Sequence, residues 1–148
     1  MALAAGAVVL VLSGCGGSAA TRQDVIARGN AICSSTLRAI RAVAPPAGGG
    51  SLLQDLSVYL QHVLPIIDKE VTGTRGLPRP APHRAVLDRY VAAVAAAGSS
   101  YAALATAARE GNRGAVSAAL ARLRASRAQS FAAQYGLKAC AAAAATVR

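Results

Sequence analysis

The sequence predicts an all-α domain, arranged as an up-down-up-down four-helix bundle. Two observations carry the prediction. Alanine fills 38 of 148 positions while aromatic residues make up only 3%, and alanine both favours helix and lets helices approach closely. Four apolar stripes of 3.6-residue period follow one another, separated by proline- and glycine-rich turns. The result is a shallow core of small side chains, with little apolar area buried per residue.

The first helix is expected over about residues 22–44. Thr21-Arg-Gln-Asp24 has the form of a capping box. Val25, Ile26, Gly29, Ile32, Cys33, Thr36, Leu37, Ile40 and Val43 then share one face, and Pro45-Pro46 ends the run. Gly48-Gly49-Gly50 provides a flexible turn.

Ser51-Leu-Leu-Gln54 offers a second capping box, opening a helix over about 52–73. Its stripe of Leu52, Leu53, Leu56, Tyr59, Leu60, Val63, Leu64, Ile67 and Val71 is the richest in the chain. Pro65 falls inside it and should kink it by removing a backbone donor. Glu70 lands on the same stripe, either reaching solvent at the helix end or forming a paired internal charge.

Leu77-Pro-Arg-Pro-Ala-Pro82 is a stiff extended crossing. The third helix follows over about 83–109, with Val86, Leu87, Tyr90, Val91, Val94, Ala97, Tyr101 and Leu104 inward. Gly98-Ser99-Ser100 weakens its middle. After Gly111, Asn112 can cap a fourth helix over about 113–143, with Val116, Leu120, Leu123 and Phe131 inward. Arg127 lies on that stripe, and Gly136 loosens the helix ahead of Cys140.

Ahead of the bundle, Leu3 to Leu12 is an uncharged apolar run. It is too short to span a bilayer, which takes about 20 residues, but suits the hydrophobic region of an export signal. It ends in Leu12-Ser13-Gly14-Cys15, which resembles the lipobox of bacterial lipoproteins. The resemblance implies that residues 1–14 are a cleaved signal peptide, that Cys15 carries a diacylglycerol, and that the protein sits on the extracytoplasmic face of the cell membrane. An ordinary secretory signal, or a buried apolar helix with a chance cysteine, are the other readings. Met1-Ala2 brings no Lys or Arg before the apolar run, so the true translation start is expected upstream. Residues 16–20 are a tether of at most about 17 Å, which seats the domain against the membrane rather than on a stalk.

With Cys15 lipidated, Cys33 and Cys140 remain as an even pair in an oxidising compartment, which reads as a disulfide. Closing its long loop is worth on the order of 4–5 kcal/mol. A metal site or a redox pair is disfavoured: there is no C-x-x-C, and His62 and His83 flank neither cysteine. In an up-down-up-down bundle the start of the first helix neighbours the end of the fourth, so the two cysteines meet at similar height. A straight fourth helix then rises about 40 Å above Cys140. Either the hairpin of helices three and four overhangs the first pair by several turns, placing Arg127 over their ends, or the hairpin bends and its helices fray.

Asn30-Ala-Ile-Cys33 and Tyr135-Gly-Leu-Lys-Ala-Cys140 resemble segments of small exported helical proteins and lipoproteins of actinobacteria, which have no assigned activity. The resemblance supports the cysteine pairing and the bundle, and implies no catalytic or ligand-binding residue.

The net charge is +10. Export and the small set of five aromatics (Tyr59, Tyr90, Tyr101, Phe131, Tyr135) argue against nucleic acid as the partner. Anionic lipid, an acidic envelope polymer or another envelope protein fit better, or the charge serves only solubility. Arg109, Arg113, Arg124 and Arg127 form the expected partner surface. Six carboxylates and two unsupported histidines give no catalytic constellation and no metal site, so no cofactor is expected. The reading is a non-enzymatic, membrane-anchored interaction or structural module; the alternative is a carrier of a small apolar, lipid-like ligand between the helices.

Overall fold

Thr21 starts the bundle as its residue pattern implies. In the computed structural model, which describes residues 19–46 and 48–142, the Thr21 hydroxyl and the Asp24 carboxylate cap each other's backbone N–H groups, opening α1 (Arg22–Ala42). The expected signal segment and Cys15 lie outside the described residues. Val43 turns extended ahead of Pro45-Pro46, where a following proline disfavours helix. Ser51 accepts from the Gln54 N–H to start α2 (Leu52–Arg75), although the reciprocal half of the expected capping box is not formed. The helix continues through the exposed Pro65 and ends at Gly76.

The Pro-rich crossing turns Leu77 into the core and delivers the chain to α3 (Arg84–Arg109). This helix passes unbroken through Gly98, and the glycine has a packing role. A Cβ there would stand 2.8 Å from Val71 Cγ2, so its absence lets α2 and α3 close on each other. At the far end Gly111 adopts φ 68°, a conformation that favours glycine, and Asn112 N–H bonds back to the Ala107 carbonyl as Gly111 N–H does to Ala108. Asn112 then caps the next helix through its side chain.

The fourth helix differs from the single rod expected over 113–143. It breaks into α4 (Arg113–Arg124), α5 (Ala128–Tyr135) and α6 (Lys138–Ala142). At the second break Gly136 has φ 101°; its N–H bonds to Ala133 O, and Leu137 N–H bonds to Ala132 O. This is the paired pattern by which a left-handed glycine ends a helix and redirects the chain. Beyond it the chain reverses. Gly136 packs on Ile26, Leu137 on Gly29, Ala139 N–H donates to Asn30 Oδ1, and Cys140 bonds Cys33. Both chains ascend together, so α6 runs alongside α1 in the same sense.

Two core layers result. The lower contains Val25, Cys33, Leu77, Leu87, Tyr90, Val94, Ala132, Tyr135, Leu137 and Cys140. The upper contains Leu60, Leu104, Ala105, Ala107, Ala108, Val116 and Ala119, flanked by Leu53, Leu56 and Leu64. Helix α1 contributes only to the lower layer, whereas α2 reaches the full height. The expected overhang is therefore corrected: the α3–α4 hairpin stands beside the first turns of α2 and outreaches α1 alone. Leu52, expected inward, is 82% exposed at that end. Helix α3 is apolar and long enough by composition to cross a membrane, with mean hydropathy 1.5. In the fold it packs against α2, α4 and α5.

Candidate functional site at the disulfide end

The two short motifs that carry the sequence resemblance meet in space, residue against residue. Cys33 and Cys140 form a disulfide across 107 residues, with Cα atoms 5.2 Å apart. They are 2% and 5% exposed. Gly29 supplies the bare surface on which the buried Leu137 sits, since a Cβ there would be 2.6 Å from Leu137 Cδ2. Asn30 accepts the Ala139 N–H, holding the start of α6 against α1. Tyr135 is 0% exposed, and its carbonyl accepts from Arg22, whose guanidinium lies 5.4 Å from the tyrosine ring centre. The Tyr135 hydroxyl and Arg22 Nε are buried without a partner among the described residues. The same motifs thus build the seam between the two ends of the domain.

Glu70 stands at this seam, with Oε1 3.7 Å from Cys33 Sγ. A disulfide sulfur carries no hydrogen, so a carboxylate gains no bond from it, while a protonated carboxyl can donate to it. Burial pushes Glu70 above the usual carboxyl range, and no cation lies within ion-pair distance among the described residues. Neither reading of Glu70 from the sequence describes it: it is a half-buried acid biased toward its neutral form. On the other side the Tyr90 hydroxyl, 3.4 Å away, donates to the same sulfur. Burial, and then the charge of Glu70, raise the Tyr90 and Tyr101 hydroxyls.

Around this end the cations are arranged on few acids. Arg79 and Arg84 both approach Asp88, at 2.9 and 3.6 Å. Arg89 and Arg127 lie against one ring, 5.6 and 5.2 Å from the centre of Phe131, within the range in which a guanidinium gains from an aromatic face. Asp24 is held below its ordinary value by the hydrogen bonds from Thr21.

The four arginines read from the sequence as a partner surface are all exposed but are not brought together. Arg109 and Arg113 flank the α3–α4 turn, and Arg124 ends α4 roughly 17 Å lower at 1.5 Å per residue. Arg127 is on the break before α5, against Phe131 rather than over the ends of α1 and α2. Beside it an open groove of about 340 Å³ is floored by Ala93, Ala96 and Ala97 and edged by Arg122 and Arg127. A second, of about 560 Å³, lies where α1 stops short beside Tyr59 and His62. Among the described residues no group of three His, Cys, Asp or Glu side chains is placed to hold a metal ion.

Comparison with protein-family models, with curated proteins and with solved structures found no match.

The sequence reading missed Tyr135 and Leu137 as core residues. The signal is Gly136: a glycine closing an apolar helical run marks a left-handed helix end, and the residue after it packs back on the last turn.

Proposed function

We propose that this chain is a lipoprotein anchored through Cys15 on the extracytoplasmic face of the cell membrane, acting there as a non-enzymatic interaction module. The observation that carries the reading is the buried Cys33–Cys140 bond between the two ends of the domain. Such a bond persists in an oxidising compartment and is rare in the cytosol. It uses two of the three cysteines and leaves Cys15, at the end of an apolar run, as the thiol for acylation. The resemblance to exported helical lipoproteins points the same way.

Metabolic labelling with a clickable fatty acid tests the anchor. The wild type should carry label that Cys15→Ala lacks, and the mature oxidised protein should present no free thiol. Unlabelled wild type, label retained in the variant, or a free Cys33 would overturn the reading. The second sequence reading, a carrier of an apolar ligand, predicts lipid co-purifying with the protein in stoichiometric amount. The two grooves described above are open to solvent and do not favour it.

A further inference from the structure

We infer that the tethered end of the bundle is a docking surface for the anionic phospholipid headgroups of the membrane in which the chain is anchored. The inference rests on the lipoprotein reading and gives it a partner.

Six cations gather at this end: Arg22 opens α1, Arg75 closes α2, Arg79 lies in the crossing, Arg84 and Arg89 occupy the first turns of α3, and Lys138 opens α6. The carboxylates at the same depth are Asp24, Glu70 and Asp88, which leaves a net charge of +3. Asp24 is already engaged with Thr21 and Asp88 with Arg79 and Arg84, while Glu70 faces the disulfide. Arg75, Arg89 and Lys138 are exposed with no carboxylate within ion-pair distance among the described residues.

Reach decides which cations matter. The tether of residues 16–20 spans at most about 17 Å, and it enters the fold at Thr21, on this face. The field of an anionic leaflet decays within a Debye length, about 8 Å at physiological ionic strength. Arg109 ends α3 some 37 Å above Arg84, at 1.5 Å per residue, so the α3–α4 tip lies beyond that field. The surface that senses the bilayer is therefore the end carrying Arg75, Arg89 and Lys138, rather than the arginines of the tip. The stiff Pro-rich crossing presents Ala81 and Pro82, both exposed, at the same face.

The test uses the acylated mature protein reconstituted in vesicles, with a benzophenone amino acid at Ala81 or, as control, at Asn112. Each cation close to an anionic surface is worth roughly a factor of five in the docked fraction. Cross-linking to lipid from position 81 should exceed that from 112 several-fold in vesicles containing phosphatidylglycerol. It should fall in phosphatidylcholine vesicles, in about 0.5 M salt where screening shortens to ~4 Å, and in the triple variant Arg75→Gln, Arg89→Gln, Lys138→Gln, whose helicity is checked by circular dichroism. Equal labelling from both positions, or labelling indifferent to lipid charge and to the triple variant, overturns the inference. So does cross-linking at position 81 in intact cells that goes to an acidic polymer in place of lipid. Fatty-acid label on Cys15 is scored separately, so a failed anchor and a failed docking surface give different results.

Discussion

Reducing the disulfide of the wild-type protein, with no change of sequence, should remove a large part of its stability. The bond closes a loop of 107 residues, for which the chain-entropy relation gives about 4.8 kcal/mol at 25 °C. One term offsets this: a reduced Cys33 thiol can donate to Glu70 Oε1, a bond worth roughly 0.5–1 kcal/mol. The expected loss is therefore about 4 kcal/mol, or around 2–3 M in urea midpoint for a slope near 1.5 kcal/mol per molar. The loss should fall unevenly. Helix α1 packs chiefly on α2 and α6, touching α3 and α5 through single side chains, and α6 is five residues held by the bond, the Asn30 cap and the Leu137 contact. Hydrogen exchange should thus rise first in α6 and α1, while α3 stays protected. Urea unfolding followed by far-ultraviolet circular dichroism, with and without phosphine reductant, measures the midpoint. A drop smaller than about 0.7 M, equivalent to ~1 kcal/mol, would refute the view that this bond fastens α1 to the domain.

Three further outcomes follow from single residues. Gly29→Ala should destabilise by about 1–3 kcal/mol, because the added methyl meets a Leu137 side chain that is buried and has nowhere to move; thermal melts measure it. Gly136→Ala should lower stability by about 1–2 kcal/mol, since φ 101° is strained for any residue with a Cβ, and Gly48→Ala in the open loop should lower it less, as its Cβ meets nothing within 4 Å. Glu70 binds its proton more tightly folded than unfolded, so its contribution is complete below the ordinary value of 4.5 and is lost as pH rises through the raised one. Glu70→Gln should therefore be more stable than wild type at neutral pH, by about 1 kcal/mol, with the difference vanishing in acid; equal melting temperatures for the two proteins at pH 7 would contradict it.

Much of the bundle is legible in the sequence. The Thr21–Asp24 pair, the proline and glycine punctuation and the apolar stripes place α1, α2 and α3 within a few residues, because each relies on local chemistry. The cysteine pairing was readable from its parity. The path of the last helix was not. Residues 125–127 are Ala-Ser-Arg, with no breaker, so the helical phase was carried past a stop and put Arg127 on the wrong face. By local pattern Gly136 is only a weak point in a helix, whereas its left-handed conformation turns the chain around. That choice depends on Leu137 finding the bare patch at Gly29, a contact 108 residues away in sequence, and no window of local pattern contains it. The same limit applies to Glu70, whose isolation from cations follows from what α1 and α3 do not bring to it.

A covalent link between positions 33 and 140 also sets a timetable. Its second sulfur follows the first by 107 residues, so no truncated product ending before position 140 can close it. A chain that carries both sulfurs fastens α6 to α1 and gains the corresponding stability at once. An interrupted one keeps a free thiol on its opening helix, a chemical tag by which unfinished copies differ from finished ones.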